Sequence, residues 1–224
     1  MKTQKPNLPR PDEDAIIINR MDRMVNSYDK YMKRVTLGRE NTLRRMTVDL
    51  ARINPGDSVL EVGCGTGTLT IAAKEKAGPA GSVYGIDMIA GMIEKSREKA
   101  KNANLDITFR PGSIDNLSFP DNHFDVVMCS FMIFHMSEKV RNNGIGEIYR
   151  VLKPGGNLLI LDISLPSGTL SRLLVKILLG FMLRHDLVEL KPVMESSGFS
   201  QIENSTAEFR VFGLPLISYV RAIK

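Results

Sequence analysis

Two carboxylates, Glu61 and Asp87, bracket a run of alternating glycines, Gly63, Gly65 and Gly67. Glycines at that spacing, with only Cys64 and Thr66 between them, let bare backbone come close to a ligand. Asp87 stands twenty residues beyond Gly67, where a carboxylate can accept from both hydroxyls of an adenosine ribose. Glu61, immediately before the loop, is awkward beside a diphosphate and welcome beside an ammonium group. The dinucleotide fingerprint G-x-G-x-x-G also fails, because the sixth position counted from Gly63 is Thr68. A ligand with an adenosine ribose at one end and an amino acid at the other satisfies both carboxylates. S-adenosylmethionine is that ligand. A nicotinamide-dependent dehydrogenase is the alternative that Thr68 and Glu61 argue against.

These residues need a scaffold that holds them in register. Val59 to Val62 is short, apolar and rich in β-branched residues, so it reads as a buried strand. Leu69 to Lys76 follows the glycines as a helix, and Ser82 to Ile86 is a second strand ending at Asp87. Strand, glycine loop, helix and strand is the unit by which an open α/β sheet binds a nucleotide. Further strands are expected at Ile107–Arg110, Asp125–Ser130, Asn157–Asp162, Gln201–Phe209 and Ile217–Ala222. Helices are expected at Ile16–Lys33, Asn41–Ala51, Ala90–Lys101, Asn143–Leu152, Leu170–Leu183 and Glu189–Ser197. Lys153-Pro154-Gly155-Gly156 reads as a tight turn at the amino end of its strand, away from any site.

The chain resembles the class I S-adenosylmethionine-dependent methyltransferases, nearest the small-molecule type typified by ubiquinone and menaquinone C-methyltransferases. The resemblance runs from about Asn26 to the C-terminus. It rests on Val59–Gly67, Asp87, the stretch from Ser118 to Asp125, and Leu152-Lys153-Pro154-Gly155-Gly156. It implies a Rossmann-like α/β fold with a seven-stranded, mostly parallel sheet in the order 3-2-1-4-5-7-6 and helices on both faces. It also implies S-adenosylmethionine as cofactor, held by the glycine loop with Glu61 and Asp87, by Met88, by Ser113 and Ile114 at the adenine, and by Ser130 and Phe131 near the methyl group. An acidic residue is frequent where Ser113 falls, and Asp115 is the fallback acceptor.

Tyr28-Asp29-Lys30-Tyr31 resembles the segment that closes over the cofactor, and an ordinary amphipathic helix stands beside that reading. Arg39 is a candidate for the cofactor carboxylate or an ordinary exposed arginine. His135 follows the fourth strand closely enough to be a base, or is there for structure alone.

Composition bounds the rest. A chain of 224 residues with 43% hydrophobic and 25% charged content is long enough for one α/β domain and an appendage. The expected organisation is a flexible arm over 1–14, a helical lid over 15–40, and the main domain over 41–224 with an insertion at about 165–186. The net charge of +5 is spread along the chain, and no basic, aromatic-studded platform suggests nucleic acid. Cys64 and Cys129 are the only cysteines, too few for a disulfide framework or a thiol metal cage, so a reducing cytoplasm is expected and no metal. The N-terminus lacks the apolar stretch of a secretory signal. Leu170–Leu183 is apolar almost all round but too short to span a bilayer; it reads as core, as lid, or as a contact with a membrane surface.

Methyl transfer from a sulfonium is an in-line displacement, so the protein must hold the acceptor, orient it and exclude water. A base is needed only where the acceptor must lose a proton. No Asn-Pro-Pro-aromatic tetrad follows the fourth strand, where Cys129-Ser130-Phe131-Met132 stands, which argues against amino-group methylation of adenine or glutamine in that style. A small, lipophilic or quinone-like acceptor is expected, with a non-catalytic S-adenosylmethionine-binding domain as the alternative.

Overall fold

The computed structural model describes residues 13–133, 136–163, 187–211 and 215–224, apart from the side chains of 13–16, 188 and 189. The predicted 170–183 helix, most of the 1–14 arm and His135 lie outside the described residues.

Seven strands form one sheet in the order β3-β2-β1-β4-β5-β7-β6. They are β1 (Ser58–Val62), β2 (Ser82–Asp87), β3 (Thr108–Pro111), β4 (Phe124–Ser130), β5 (Leu152–Ile163), β6 (Ser200–Thr206) and β7 (Ile217–Ile223). The first five pair in parallel, and β7 runs antiparallel to both β5 and β6. The described helices are α1 (Glu13–Met24), α2 (Tyr28–Val35), α3 (Glu40–Leu50), α4 (Thr68–Ala77), α5 (Ala90–Asn102), α6 (Glu138–Val151) and α7 (Lys191–Ser197), with a 3-10 turn at Leu187–Leu190.

Alternation along the central strands decides where the helices lie. Leu60, Val62, Val127, Cys129, Leu158 and Ile160 pack on one face with α6 and α7. Val59, Val126, Met128, Leu159 and Leu161 point to the other, under α3 and α4. Both faces are therefore covered, which is why these strands read as continuous apolar runs. A smaller cluster joins Ile93 and Ala100 of α5 to Phe109 and Cys64.

Three elements differ from the sequence expectation. The helix expected over 16–33 is two helices, broken where Val25–Ser27 turn and Ser27 N–H donates to the Met24 carbonyl at 2.9 Å. That break aims α2 across the glycine loop. Residues 153–156 are paired rather than a free turn: Gly155 N–H donates to the Lys224 carbonyl at 2.9 Å and Lys224 N–H to the Gly156 carbonyl at 3.1 Å. The C-terminal lysine thus extends the sheet to a segment that its Pro and Gly content marked as a turn. The sixth strand stops at Thr206; Ala207, Phe209 and Val211 beyond it are buried against the α3–α4 face.

Candidate active site

The floor of the site is the β1–α4 connection. Gly63 and Cys64 N–H both donate to the Ile86 carbonyl, at 2.8 and 2.9 Å, which ties the loop to the end of β2. Gly65 N–H donates to Asp87 Oδ2 at 2.9 Å and Ile89 N–H to Oδ1 at 2.9 Å. Two amides thus aim the Asp87 carboxylate, and burial raises its pKa against the pull of those bonds. At Gly67 the backbone is left-handed (φ 78°), and a Cβ would stand 2.7 Å from Ser96 Cβ and 3.0 Å from the Phe109 ring. The third glycine of the run therefore serves close packing of loop on α5 and β3.

A cavity of about 430 Å³ opens above this floor, at the carboxyl ends of β1, β2 and β4. Nine of the predicted residues line it: Tyr28, Gly63, Gly65, Asp87, Met88, Ser113, Ile114, Ser130 and Phe131. Asp115 lines it too, and Ser113 Oγ donates to the Asp115 carboxylate, so the hydroxyl and the acid form one polar unit in its wall. Ile114 is fixed by α6: a Cβ on Gly144 would lie 2.6 Å from its Cγ1.

Five predicted residues do not line the cavity, and each has a physical reason. Cys64 faces α5 and β3, buried with Ile93 and Phe109. Gly67 is spent on packing, and Thr66 turns away to donate to Asp29 Oδ1 at 2.7 Å. Glu61 is buried one layer below, accepting from Thr70 Oγ1 at 2.5 Å and from Ser130 Oγ at 3.5 Å. Burial raises its pKa to about 7, with the Asp87 charge adding and Thr70, Arg44 and Ser130 opposing. Glu61 therefore reaches the cavity through Ser130 and does not form its wall.

Arg39 is the clearest correction. Its Nη1 donates to the Arg210 carbonyl at 3.4 Å and its guanidinium lies 4.8 Å from the Phe209 ring, so it faces the C-terminal segment. The buried cation near the site is Arg44 instead. Arg44 Nη2 donates to Glu40 at 3.3 Å, its Nε has no hydrogen-bond partner among the described residues, and its charge acts on both Tyr28 and Glu61. The sequence held a signal for it: Arg44 and Val48 are four apart on α3, so the arginine falls on the core stripe.

The cover comes from the N-terminal helices. Ile17, Ile18 and Met21 of α1 and Tyr28 of α2 line the cavity. The Tyr28 ring lies over the loop, its Cε1 only 3.7 Å from where a Cβ on Gly65 would sit. The Tyr28 hydroxyl is pushed up to about 12, first by burial, with Arg44 opposing and Asp87 and Glu61 adding. It stays a neutral phenol.

Tyr28 and Phe131 also border a second cavity of about 150 Å³ behind the first. Its walls are mostly apolar, with Met24, Met32, Val35 and Leu43 from the helices and Phe209, Val211, Leu216 and Ile217 from the chain end, beside the polar Arg20, Tyr31 and Thr36. Phe131 holds a left-handed backbone (φ 55°), costly for a bulky residue, while its N–H donates to the Leu161 carbonyl at 2.9 Å. That strain sets the phenyl ring between the two cavities.

Residues 59–156 match the family described as a methyltransferase domain. The chain is 35% identical over 161 residues to a demethylmenaquinone methyltransferase of Symbiobacterium thermophilum, covering 70% of this chain and 63% of that protein. It is 32% identical over 166 residues to the ubiquinone/menaquinone biosynthesis C-methyltransferase UbiE of Pseudomonas paraeruginosa, covering 73% and 64%. The match thus spans a little under two thirds of the length of these relatives. Among solved structures, the fold is similar to that of a SAM-dependent methyltransferase from Aquifex aeolicus, with a TM-score of 0.68 at 19% identity over 90% of this chain and 97% of that one. Over residues 59–156 the chain thus matches the methyltransferase-domain family, and its fold is similar to that of a SAM-dependent methyltransferase.

Proposed function

We propose that the protein is a methyltransferase that uses S-adenosylmethionine and acts on a small, apolar, quinone-like acceptor. One observation carries the reading: a cavity with an oriented carboxylate at its floor shares the walls Tyr28 and Phe131 with a second, mostly apolar one. The first suits a nucleoside that carries an amino acid, and the second a ring or alkyl group without charge.

The residues fit the cofactor. Asp87 takes the ribose hydroxyls; the Ser113–Asp115 pair and Ile114 take the adenine edge and face. Backbone at Gly63 and Gly65 lies along the amino-acid end, with Ser130 linking the ammonium to Glu61. Arg44 lines neither cavity and acts on the site through its charge beside Tyr28 and Glu61. When bound, S-adenosylmethionine supplies an electrophilic methyl group on sulfur. This chain's own contribution is position and dryness: Phe131 and Tyr28 hold the acceptor against the cofactor cavity, and α1 shuts water out. Tyr28, a neutral phenol, can donate a hydrogen bond to an acceptor oxygen. The carbon–sulfur bond breaks to leave S-adenosylhomocysteine, and the proton displaced from the acceptor passes to water.

Support for a quinone-like acceptor comes from the named relatives, which are demethylmenaquinone and ubiquinone/menaquinone methyltransferases. Under this reading α1 and α2 are a lid on the domain that follows, and the cytoplasm suits Cys64 and Cys129, both buried free thiols. No helix among the described residues is long and apolar enough to cross a membrane.

Calorimetric titration with S-adenosylhomocysteine, with NAD in a parallel cell, tests the cofactor. Heat with the first alone is expected, and heat with NAD alone overturns the reading. Methyl transfer to demethylated naphthoquinones and benzoquinones in their reduced, hydroquinone forms then tests the acceptor class. Cofactor binding without transfer to any quinone would favour a non-catalytic binding domain or another acceptor.

A further inference from the structure

The cover is fastened to the floor by one polar cluster that the chemistry above does not use. Lys99, near the end of α5, places its ammonium among three oxygens: Asp29 Oδ1 at 2.8 Å, Thr66 Oγ1 at 2.9 Å and Thr68 Oγ1 at 3.1 Å. Asp29 Oδ2 is also 2.8 Å from Lys99 Nζ, and Thr66 Oγ1 donates to Asp29 Oδ1 at 2.7 Å. Four side chains from α2, the glycine loop, the start of α4 and the last turns of α5 meet at one point. Asp29 is the only one of them that belongs to the cover.

We propose that Asp29 is a latch: its bonds to Lys99 and Thr66 hold α2 down on the glycine loop, and their breaking sets the rate at which cofactor and product nucleoside enter and leave. This rests on the cofactor reading above. Position supports it, because Tyr28, the neighbour of Asp29, lies over Gly65 and forms a wall of both cavities. A nucleoside held between Asp87 and Ser113 is flanked by Ile17, Ile18, Met21 and Tyr28, so movement of α1 and α2 would widen its way out.

Strength supports it as well. The Asp29 and Lys99 side chains keep 47% and 30% of their exposure, so water and salt reach them. Pairs of that kind contribute little to global stability. They still matter when they are among the few ties on a short helix such as α2, whose eight residues form no stable helix alone. Beside Asp29, the cover near the floor has the Tyr28 ring on Gly65 and the Val25 side chain on α5, 3.2 Å from where a Cβ on Gly91 would sit. These contacts are apolar and non-directional. The cluster is the directional part. Bonds from Lys99 and Thr66 hold the Asp29 carboxyl below its ordinary pKa despite its burial, so the latch stays charged at neutral pH.

The test compares wild type with Asp29→Asn, and with Lys76→Met as a control that removes an exposed ion pair to Asp49 elsewhere. Hydrogen–deuterium exchange of the ligand-free proteins reads the latch without any cofactor. Faster exchange confined to the α2 amides in Asp29→Asn, with unchanged melting temperature, is expected. Stopped-flow displacement of S-adenosylhomocysteine reads the gate. Its release should be roughly threefold to tenfold faster in Asp29→Asn, the scale of an ion pair with added hydrogen bonds. Release from wild type should quicken with salt, and release from the variant should not. Wild-type exchange at α2 overturns the latch, and wild-type release with faster exchange overturns the gate. Failure of wild type to bind the nucleoside at all overturns the cofactor reading and the gate with it, while the exchange data still judge the latch.

Discussion

The floor and the cover of the cavity touch the same space but are made differently. The floor is tied by backbone: the amides of Gly63, Cys64, Gly65 and Ile89 converge on the Ile86 carbonyl and the Asp87 carboxylate, and the strands beneath are buried on both faces. The cover is tied by side chains, Tyr28 on Gly65, Val25 on Gly91 and Asp29 on Lys99, several of them partly exposed. Backbone ties need the whole sheet to fail before they open, whereas side-chain ties can open one at a time. A site that must bind tightly and also release product gains from having one of each.

Filling the tightest point of the floor should break it most. Gly67→Ala puts a methyl group 2.7 Å from Ser96 Cβ and 3.0 Å from the Phe109 ring, at a left-handed φ of 78°. Strain and overpacking together should destabilise the fold by about 2–4 kcal/mol. The corresponding change on the cover side, Gly38→Ala, meets no atom within 4 Å at φ 75° and should lose only about 1 kcal/mol of strain energy. Denaturant midpoints of the two variants check the contrast, and equal losses would refute it.

Removing the ligand-facing group of the floor should leave the sheet folded, free the Gly65 and Ile89 amides, and spoil binding. Asp87→Ala is expected to weaken S-adenosylhomocysteine by about 1.5–3 kcal/mol, the scale of charged hydrogen bonds to the ribose. Calorimetry reads it, and wild-type affinity in a folded variant would remove Asp87 from the ribose.

Glu61 gives a pH signature instead. Its carboxyl is raised from 4.5 to about 7 in the fold, chiefly by burial, so its contribution to ligand-free stability is full below pH 4.5 and is lost as pH rises through about 7. Glu61→Gln keeps an acceptor for Thr70 and removes that loss. The variant should match wild type in acid and exceed it by about 3 kcal/mol above pH 7 without ligand. It should also bind S-adenosylhomocysteine more weakly, because the buried charge serves the ligand's ammonium. Parallel stability curves with pH would show that Glu61 is not strained by its burial.

What could be read from the chain follows the same division. The floor is local: strand, alternating glycines, helix and Asp87 are close in sequence, and the apolar runs report strands buried on both faces. The seven-strand order came with the resemblance and holds. The cover is not local. Asp29 meets Thr66 and Lys99 across 37 and 70 residues, and no periodicity carries such a pairing. Of the two readings of Arg39, the exposed one is what the fold shows, and its meeting with Phe209 and Arg210 is likewise non-local. Cys64 and Thr66 belong to the loop motif yet face away from the cavity, since a loop tied by its backbone leaves alternate side chains to packing and to the latch.

The smallest effect separates strain that serves the cover from strain that does not. Leu37 is 56% exposed and left-handed (φ 53°) between α2 and α3, where it and Gly38 turn the chain. Its N–H donates to the Arg34 carbonyl at 3.1 Å and that of Gly38 to the Lys33 carbonyl at 2.7 Å, bonds any residue can keep. A leucine gains nothing from that backbone, and asparagine tolerates it better. Leu37→Asn should therefore raise stability by a few tenths of a kcal/mol, up to about 1. Release of S-adenosylhomocysteine should stay at the wild-type rate, because the turn lies beyond the latch. Stabilisation with unchanged release would mark the turn as a passive hinge. Slower release would move part of the gate from Asp29 to the α2–α3 turn, and a stability loss would mean that the exposed leucine has an apolar partner to meet.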